Sequence, residues 1–153
     1  MAEKKKTHSQ VERAKRVKRV SASSDVECAD ARYLILIIDD EPSMRDFKRF
    51  FLEHEGYRVV EAVNGAEGVE AAIRERPRLI LMNYLMPVMN GLTATKMIRR
   101  RRSLRHIPII MNSACSKERM RDEALLAGCV DYLEEPCFHE ELLEKIAAYI
   151  LIG

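Results

Sequence analysis

Long apolar runs are missing from this sequence. No stretch approaches the roughly 20 residues needed to cross a bilayer, and the N-terminus has no hydrophobic signal core. A membrane partner and a secretory route are therefore not expected, and the expected location is cytoplasmic. Metal-binding signatures are missing as well: Cys28, Cys115, Cys129 and Cys137 show no CxxC spacing and no clustered histidine. In a reducing compartment they are expected to be free thiols. Aromatic residues are missing from residues 1–31, which are charged and carry Ser21, Ser23 and Ser24. Such a segment buries too little apolar surface to offset its chain entropy, so it reads as a disordered basic tail.

What is present is enough for one domain. The chain has 153 residues, 47% of them hydrophobic, which allows a folded unit over residues 32–153 beside the tail. Residues 1–32 hold nine Lys or Arg against five Asp or Glu, net +4, so the formal +2 of the whole leaves −2 for the remainder. That balance speaks against nucleic acid as a partner of the folded part, because nucleic-acid-binding domains usually show a basic face. Residues 11–20, VERAKRVKRV, place Val11, Ala14 and Val17 at a weak three-residue spacing. They read first as a solvated tail and second as a basic helix for an acidic partner.

From residue 33 onward, strand and helix patterns alternate. YLILII is a continuous branched apolar run ending on Asp39 and Asp40, as a strand covered on both faces would read. Pro42 suits a first helical turn and Gly56 the position just past the end, with Met44, Phe47, Phe51 and Leu52 forming the apolar face between them. Residues 58–62 form a second strand. Asn64 caps a helix running to about Arg76, with Val69, Ala72 and Ile73 inward, and Pro77 closes it. Residues 79–91, LILMNYLMPVMNG, give a third strand that stops on Asn83 and enters a loop bearing Pro and Gly. A helix over 92–102, a strand over 107–111, a helix over 117–127 stopped by Gly128, a strand over 130–133 and a helix over 139–152 complete the pattern.

Five strands alternating with five helices imply an α/β, doubly wound, five-stranded parallel sheet. Right-handed crossovers make the flavodoxin-like order 2-1-3-4-5 the natural topology, with the first and third strands flanking the switch point. Asp39, Asp40 and Asn83 then meet beyond the carboxyl ends of the strands, where ligands of such sheets bind.

The motifs IIDDEPSMR, LMPVMNG, IIMNSA and AGCVDYLEEP together resemble the receiver domain of two-component response regulators. The resemblance implies two acidic residues holding a magnesium ion, an aspartate after the third strand that takes a phosphoryl group, and a Ser or Thr and a Lys that contact the phosphoryl oxygens. It also implies an aromatic residue in the fifth strand that changes position with activation. Matched residue by residue, the acidic pair is Asp39 and Asp40, the hydroxyl Ser113 and the aromatic Tyr132, these last two being the switch positions. The acceptor position, however, is Asn83 and the lysine position is Glu135. The family also places a cis peptide at the bond that corresponds to Glu135-Pro136.

Both departures fall on the chemistry. A neutral amide cannot form the acyl phosphate that an aspartate forms. Glu135 reverses the charge facing a phosphate, which costs on the order of 1 kcal/mol at 4 Å in water and about 4 near a protein surface. The usual pocket, three carboxylates and a lysine, is formally −2; Asp39, Asp40 and Glu135 with neutral Asn83 give −3. Relief is expected from exposure of Glu135, from a raised carboxylate pKa, or from Mg2+ or Ca2+ on the acidic residues.

Each feature also has a plainer reading. An acidic pair at a strand end caps a helix, Ser113 suits a loop and Tyr132 a core strand. The run Arg99, Arg100, Arg101 and Arg102 stabilises a helix C-terminus, or else forms a patch for a partner. The expectation is a stand-alone degenerate receiver, not an enzyme and without a required cofactor. It would be a monomer or weak homodimer, working by phosphorylation-independent contact with a histidine kinase or other regulator through the fourth helix, fifth strand and fifth helix. Two alternatives stand beside it: a receiver switched through Asp39, Asp40 or deamidated Asn83, and a nucleic-acid adaptor working through the basic tail.

Overall fold

The computed structural model describes residues 33–115 and 118–151. The tail over residues 1–31, with Cys28, lies outside the described residues. The elements follow in the order β1 (Leu34–Ile38), α1 (Pro42–His54), β2 (Arg58–Ala62), α2 (Gly65–Glu75), β3 (Leu79–Asn83), α3 (Gly91–Arg100), β4 (Ile109–Ser113), α4 (Glu118–Ala127), β5 (Asp131–Glu134) and α5 (His139–Tyr149). The five strands form one parallel sheet in the order β2-β1-β3-β4-β5, the doubly wound flavodoxin-like arrangement.

Strand periodicity divides the core in two. Leu36 and Ile38 of β1 join Ile80, Met82, Ile109 and Met111 on one face, covered by Val69 and Ala72 of α2, Ala94 and Ile98 of α3, and Met120 and Ala124 of α4. Ile35 and Ile37 point to the other face with Leu79, Leu81, Ile110 and Leu133, covered by Leu52 of α1 and by Leu142 and Ile146 of α5. Residues of both parities are buried, which is why the central strands read as unbroken apolar runs.

Local signals set the helix ends. Pro42 begins α1, and Gly56 follows its last turn at φ 90. The Asn64 side chain accepts from the Glu67 amide at 2.9 Å at the start of α2, and Asn90 accepts from the Thr93 amide at 2.9 Å at the start of α3. Gly91 is required by proximity: a Cβ there would stand 2.2 Å from the Asn83 carbonyl oxygen.

Several sequence-based bounds move. The third helix stops at Arg100, because Arg101 turns to extended backbone. The fourth strand runs over Ile109–Ser113, two residues later than expected, and the fifth over Asp131–Glu134, one later. In each case the ladder continues onto polar residues at the carboxyl end, which an apolar run cannot mark. Phe47 and Ile73, expected inward, are exposed; Lys48 and Ala71 are buried instead. No helix among the described residues is long and apolar enough to cross a membrane.

Candidate functional site

The carboxyl ends of β1 and β3 bring three of the expected residues together. Asp39 is buried at the end of β1, and Asp40 next to it is exposed. Asn83, the last residue of β3, donates from Nδ2 toward Asp39 Oδ1 at 3.2 Å, Asp40 Oδ1 at 3.0 Å and the Leu85 carbonyl at 3.1 Å. Its amide nitrogen thus sits between the two acids as a neutral donor. The Glu41 amide also donates to Asp39 Oδ1, at 3.1 Å, so the acid serves the start of α1 too.

The fourth pocket residue is one the sequence reading did not select. Lys48 is 1% exposed, and its Nζ lies 2.8 Å from Asp39 Oδ2 and 2.8 Å from Glu135 Oε1. It reaches in from the second turn of α1 and stands between the ends of the first and fifth strands. Asn112, at the end of β4, donates from Nδ2 to the same Glu135 oxygen at 3.0 Å. The expected relief of charge by exposure of Glu135 is therefore corrected: its side chain is 9% exposed. With Lys48 counted, Asp39, Asp40 and Glu135 sum to −2 rather than −3. The arrangement is a buried cation clasped by two carboxylates, stable only because both charges and the remaining lone pairs find partners.

Both Asp39 oxygens already accept from donors, and the donors facing the acids are nitrogen-bound hydrogens, which a metal ion would have to displace. Among the described residues no group of three or more His, Cys, Asp or Glu is arranged to hold a metal ion.

Ser113 and Tyr132 converge on one residue, Cys115, from its two sides. Ser113, buried at the end of β4, accepts from the Cys115 amide at 3.2 Å. Tyr132, also buried, donates its hydroxyl to the Cys115 carbonyl at 2.9 Å. Burial pushes the Tyr132 phenol up. Glu135-Pro136 is a cis peptide bond. Tyr84, the residue after Asn83, is buried and donates its hydroxyl to Glu123 on α4, which also accepts from Arg119.

The arginine run divides. Arg99 is spent internally, donating to the Gly128 carbonyl and the Ile107 carbonyl at 2.9 Å each, so it is withdrawn from the expected patch. Arg100, Arg101 and Arg102 remain exposed. Cys115, Cys129 and Cys137 are free thiols.

Lys48 left little trace in the sequence: on α1 it falls between residues counted as an apolar face, where a lysine is ordinarily assigned to solvent. Asn112 stood inside IIMNSA, but only its serine drew attention.

The family model described as response regulator receiver domain matches residues 35–147. Protein PilH of Pseudomonas aeruginosa is 34% identical over 116 residues, covering 76% of this chain and 96% of PilH. The DNA-binding dual master transcriptional regulator RpaA of Synechocystis is also 34% identical over 116 residues, but the chain spans only 48% of its length. Among solved structures, the receiver domain of sensor histidine kinase PA1611 from Pseudomonas aeruginosa, with a magnesium ion coordinated in its active site cleft, superposes with a TM-score of 0.73 at 34% identity, over 77% of this chain and 97% of that one. With the family model matching residues 35–147 and the fold shared with solved receiver domains, the chain belongs to the response regulator receiver domain family.

Proposed function

We infer that this chain is a degenerate receiver of two-component signalling, with its phosphoryl pocket closed by its own side chains, acting through phosphorylation-independent contact with a signalling protein. One observation carries the reading: at the acceptor position Asn83 presents an amide whose nitrogen is engaged with Asp39 and Asp40. An amide in that place has no carboxylate to attack phosphorus. Lys48 and Asn83 supply the positive ends that a metal ion would bring, so the acids are satisfied without one. The former lysine position, Glu135, faces inward and opposes an incoming anion.

With the trigger gone, output depends on surfaces. The face made by α4, β5 and α5 is the candidate for a histidine kinase or other regulator. Leu126 on α4 is 88% exposed there, with Leu125 and Val130 partly exposed beside it. Cytoplasmic location and action as a monomer or weak homodimer belong to the same proposal.

The test is incubation of the full chain with millimolar Mg2+ and a small phosphodonor, followed by intact mass, alongside a receiver that carries the aspartate. The expected spectrum is that of the unmodified chain. A stable adduct of one phosphoryl group, acid-resistant and base-labile, on Asp39, Asp40 or an aspartate formed from Asn83, overturns the reading.

A further inference from the structure

All four phenylalanines of the sequence lie on one side of the molecule, and none is fully buried. Phe47, Phe50 and Phe51 occupy α1, and Phe138 immediately precedes α5. Phe51 stacks on His139 of α5, with centroids 4.4 Å apart and planes at 10°. It also meets Phe47 and Phe50 edge-on at 5.0 and 5.2 Å. Phe50 is 65% and Phe138 82% exposed. A core built mainly of aliphatic side chains, with Tyr84 and Tyr132 as its buried aromatics, has left its phenylalanines outside. A cluster of exposed phenylalanines on the α1 face, with Phe138 next in sequence to the His139 that stacks on it, marks a binding surface.

The charge around the patch is acidic. Glu53 of α1 and Glu140, Glu141 and Glu144 of α5 are exposed. The cations of α1 are already engaged: Arg49 pairs with Asp46 and Glu61, Arg45 stands 3.8 Å from Glu61, and Lys48 is buried against Asp39 and Glu135. The surface therefore presents phenyl faces rimmed by carboxylates, which suits a segment with alternating cations and small apolar side chains. Lys and Arg stack on aromatic faces while their charges reach acids.

We propose that the occupant is residues 11–20 of this same chain, VERAKRVKRV, docked in cis on the α1–α5 aromatic face. Its five cations, Arg13, Lys15, Arg16, Lys18 and Arg19, and its valines supply the matching chemistry. Reach is sufficient. Tyr33, where the described residues begin, has its ring 6.4 Å from that of Tyr57, and the Tyr57 amide donates to the Leu52 carbonyl of α1 at 3.0 Å. The chain thus enters the domain beside the C-terminal end of α1. Residues 21–32 extend to about 40 Å at roughly 3.3 Å per residue, whereas α1 is about 20 Å long at 1.5 Å per residue. The basic segment therefore reaches every phenylalanine of the patch.

Because the four phenylalanines are the complete set, fluorine-labelled phenylalanine in the full chain gives four resonances that report this face alone, assigned by single Phe→Tyr variants. The comparison is with the full chain carrying Lys15→Glu, Arg16→Glu, Lys18→Glu and Arg19→Glu, substitutions that leave the folded core untouched. Docking in cis moves the Phe50 and Phe138 resonances between the two chains. It also moves them toward the variant's positions in about 1 M salt, where the screening length falls to about 3 Å, and leaves them independent of protein concentration. Identical spectra overturn the proposal. Shifts that grow with protein concentration overturn it too, assigning the patch to a second copy of the chain.

Discussion

Lys48 is the residue on which the pocket turns. Its ammonium group sits 2.8 Å from each of two carboxylates in a nearly solvent-free site. Burying either charge sign alone costs several kcal/mol, and breaking such a pair from one side costs roughly 3–5 kcal/mol. Lys48→Met keeps most of the volume and leaves Asp39 and Glu135 buried without their cation. It is expected to lose about that amount in urea unfolding at neutral pH. Adding Glu135→Gln should recover part of the loss, because one of the stranded charges disappears with it. A Lys48→Met loss below about 1 kcal/mol, the range of exposed surface pairs, would show that the clasp carries little. The acids and the amide were legible because their spacing about one switch point is fixed by the strand ends. Lys48 was not, since helical periodicity sorts residues by polarity and assigns a lysine outward, whereas burial here is set by a charge pairing 87 positions away in sequence.

At the scale of elements, the loop after β3 is fastened to α4 by the hydrogen bond from Tyr84 to Glu123. Burial, and then this bond to a carboxylate, push the Tyr84 phenol up to about 12. The same bond, followed by Arg119, holds Glu123 below the usual carboxylate range. A raised phenol contributes stability that is present below its unfolded value near 10 and lost as pH rises toward 12. A lowered carboxyl contributes stability that is present above its unfolded value near 4.3 and lost as pH falls through its folded value. Tyr84→Phe should therefore flatten the alkaline and acid shoulders of the stability profile together. Glu123→Gln should bring the Tyr84 titration down part of the way toward 10, with burial holding the rest, read by tyrosinate absorbance against the Tyr84→Phe background. An unchanged titration in Glu123→Gln would mean that the fastening does not exist in solution. Element existence and order were readable from the alternation of strand and helix patterns. The carboxyl ends of β4 and β5 were not, because there the ladder runs on through Asn112, Ser113 and Glu134, whose polarity hides them from an apolar count.

Across the whole molecule, the pocket links Asn83 to cation dependence. As the chain stands, both Asp39 oxygens accept from donors and Asp40 accepts from Asn83, so the folded state is expected to gain little from a divalent ion. Millimolar Mg2+ or Ca2+ should leave its thermal transition where matched NaCl leaves it, which separates specific binding from screening. Asn83→Asp converts the shared donor into a third carboxylate within reach of Asp39 and Asp40. Without divalent ions this costs about 1 to 4 kcal/mol for each like-charge contact near 4 Å, depending on local screening, and the variant should melt below the parent chain. Mg2+ then has oxygen ligands to bridge, and its binding to the folded state alone raises stability as RT ln(1 + [L]/Kd), about 2.7 kcal/mol at a hundredfold excess over Kd. The variant's transition should climb with Mg2+ while the parent's stays flat. An equal climb in both chains would mean that Lys48 and Asn83 do not stand in for the ion, and a flat response in both would place the barrier to metal in the Lys48 clasp rather than in Asn83.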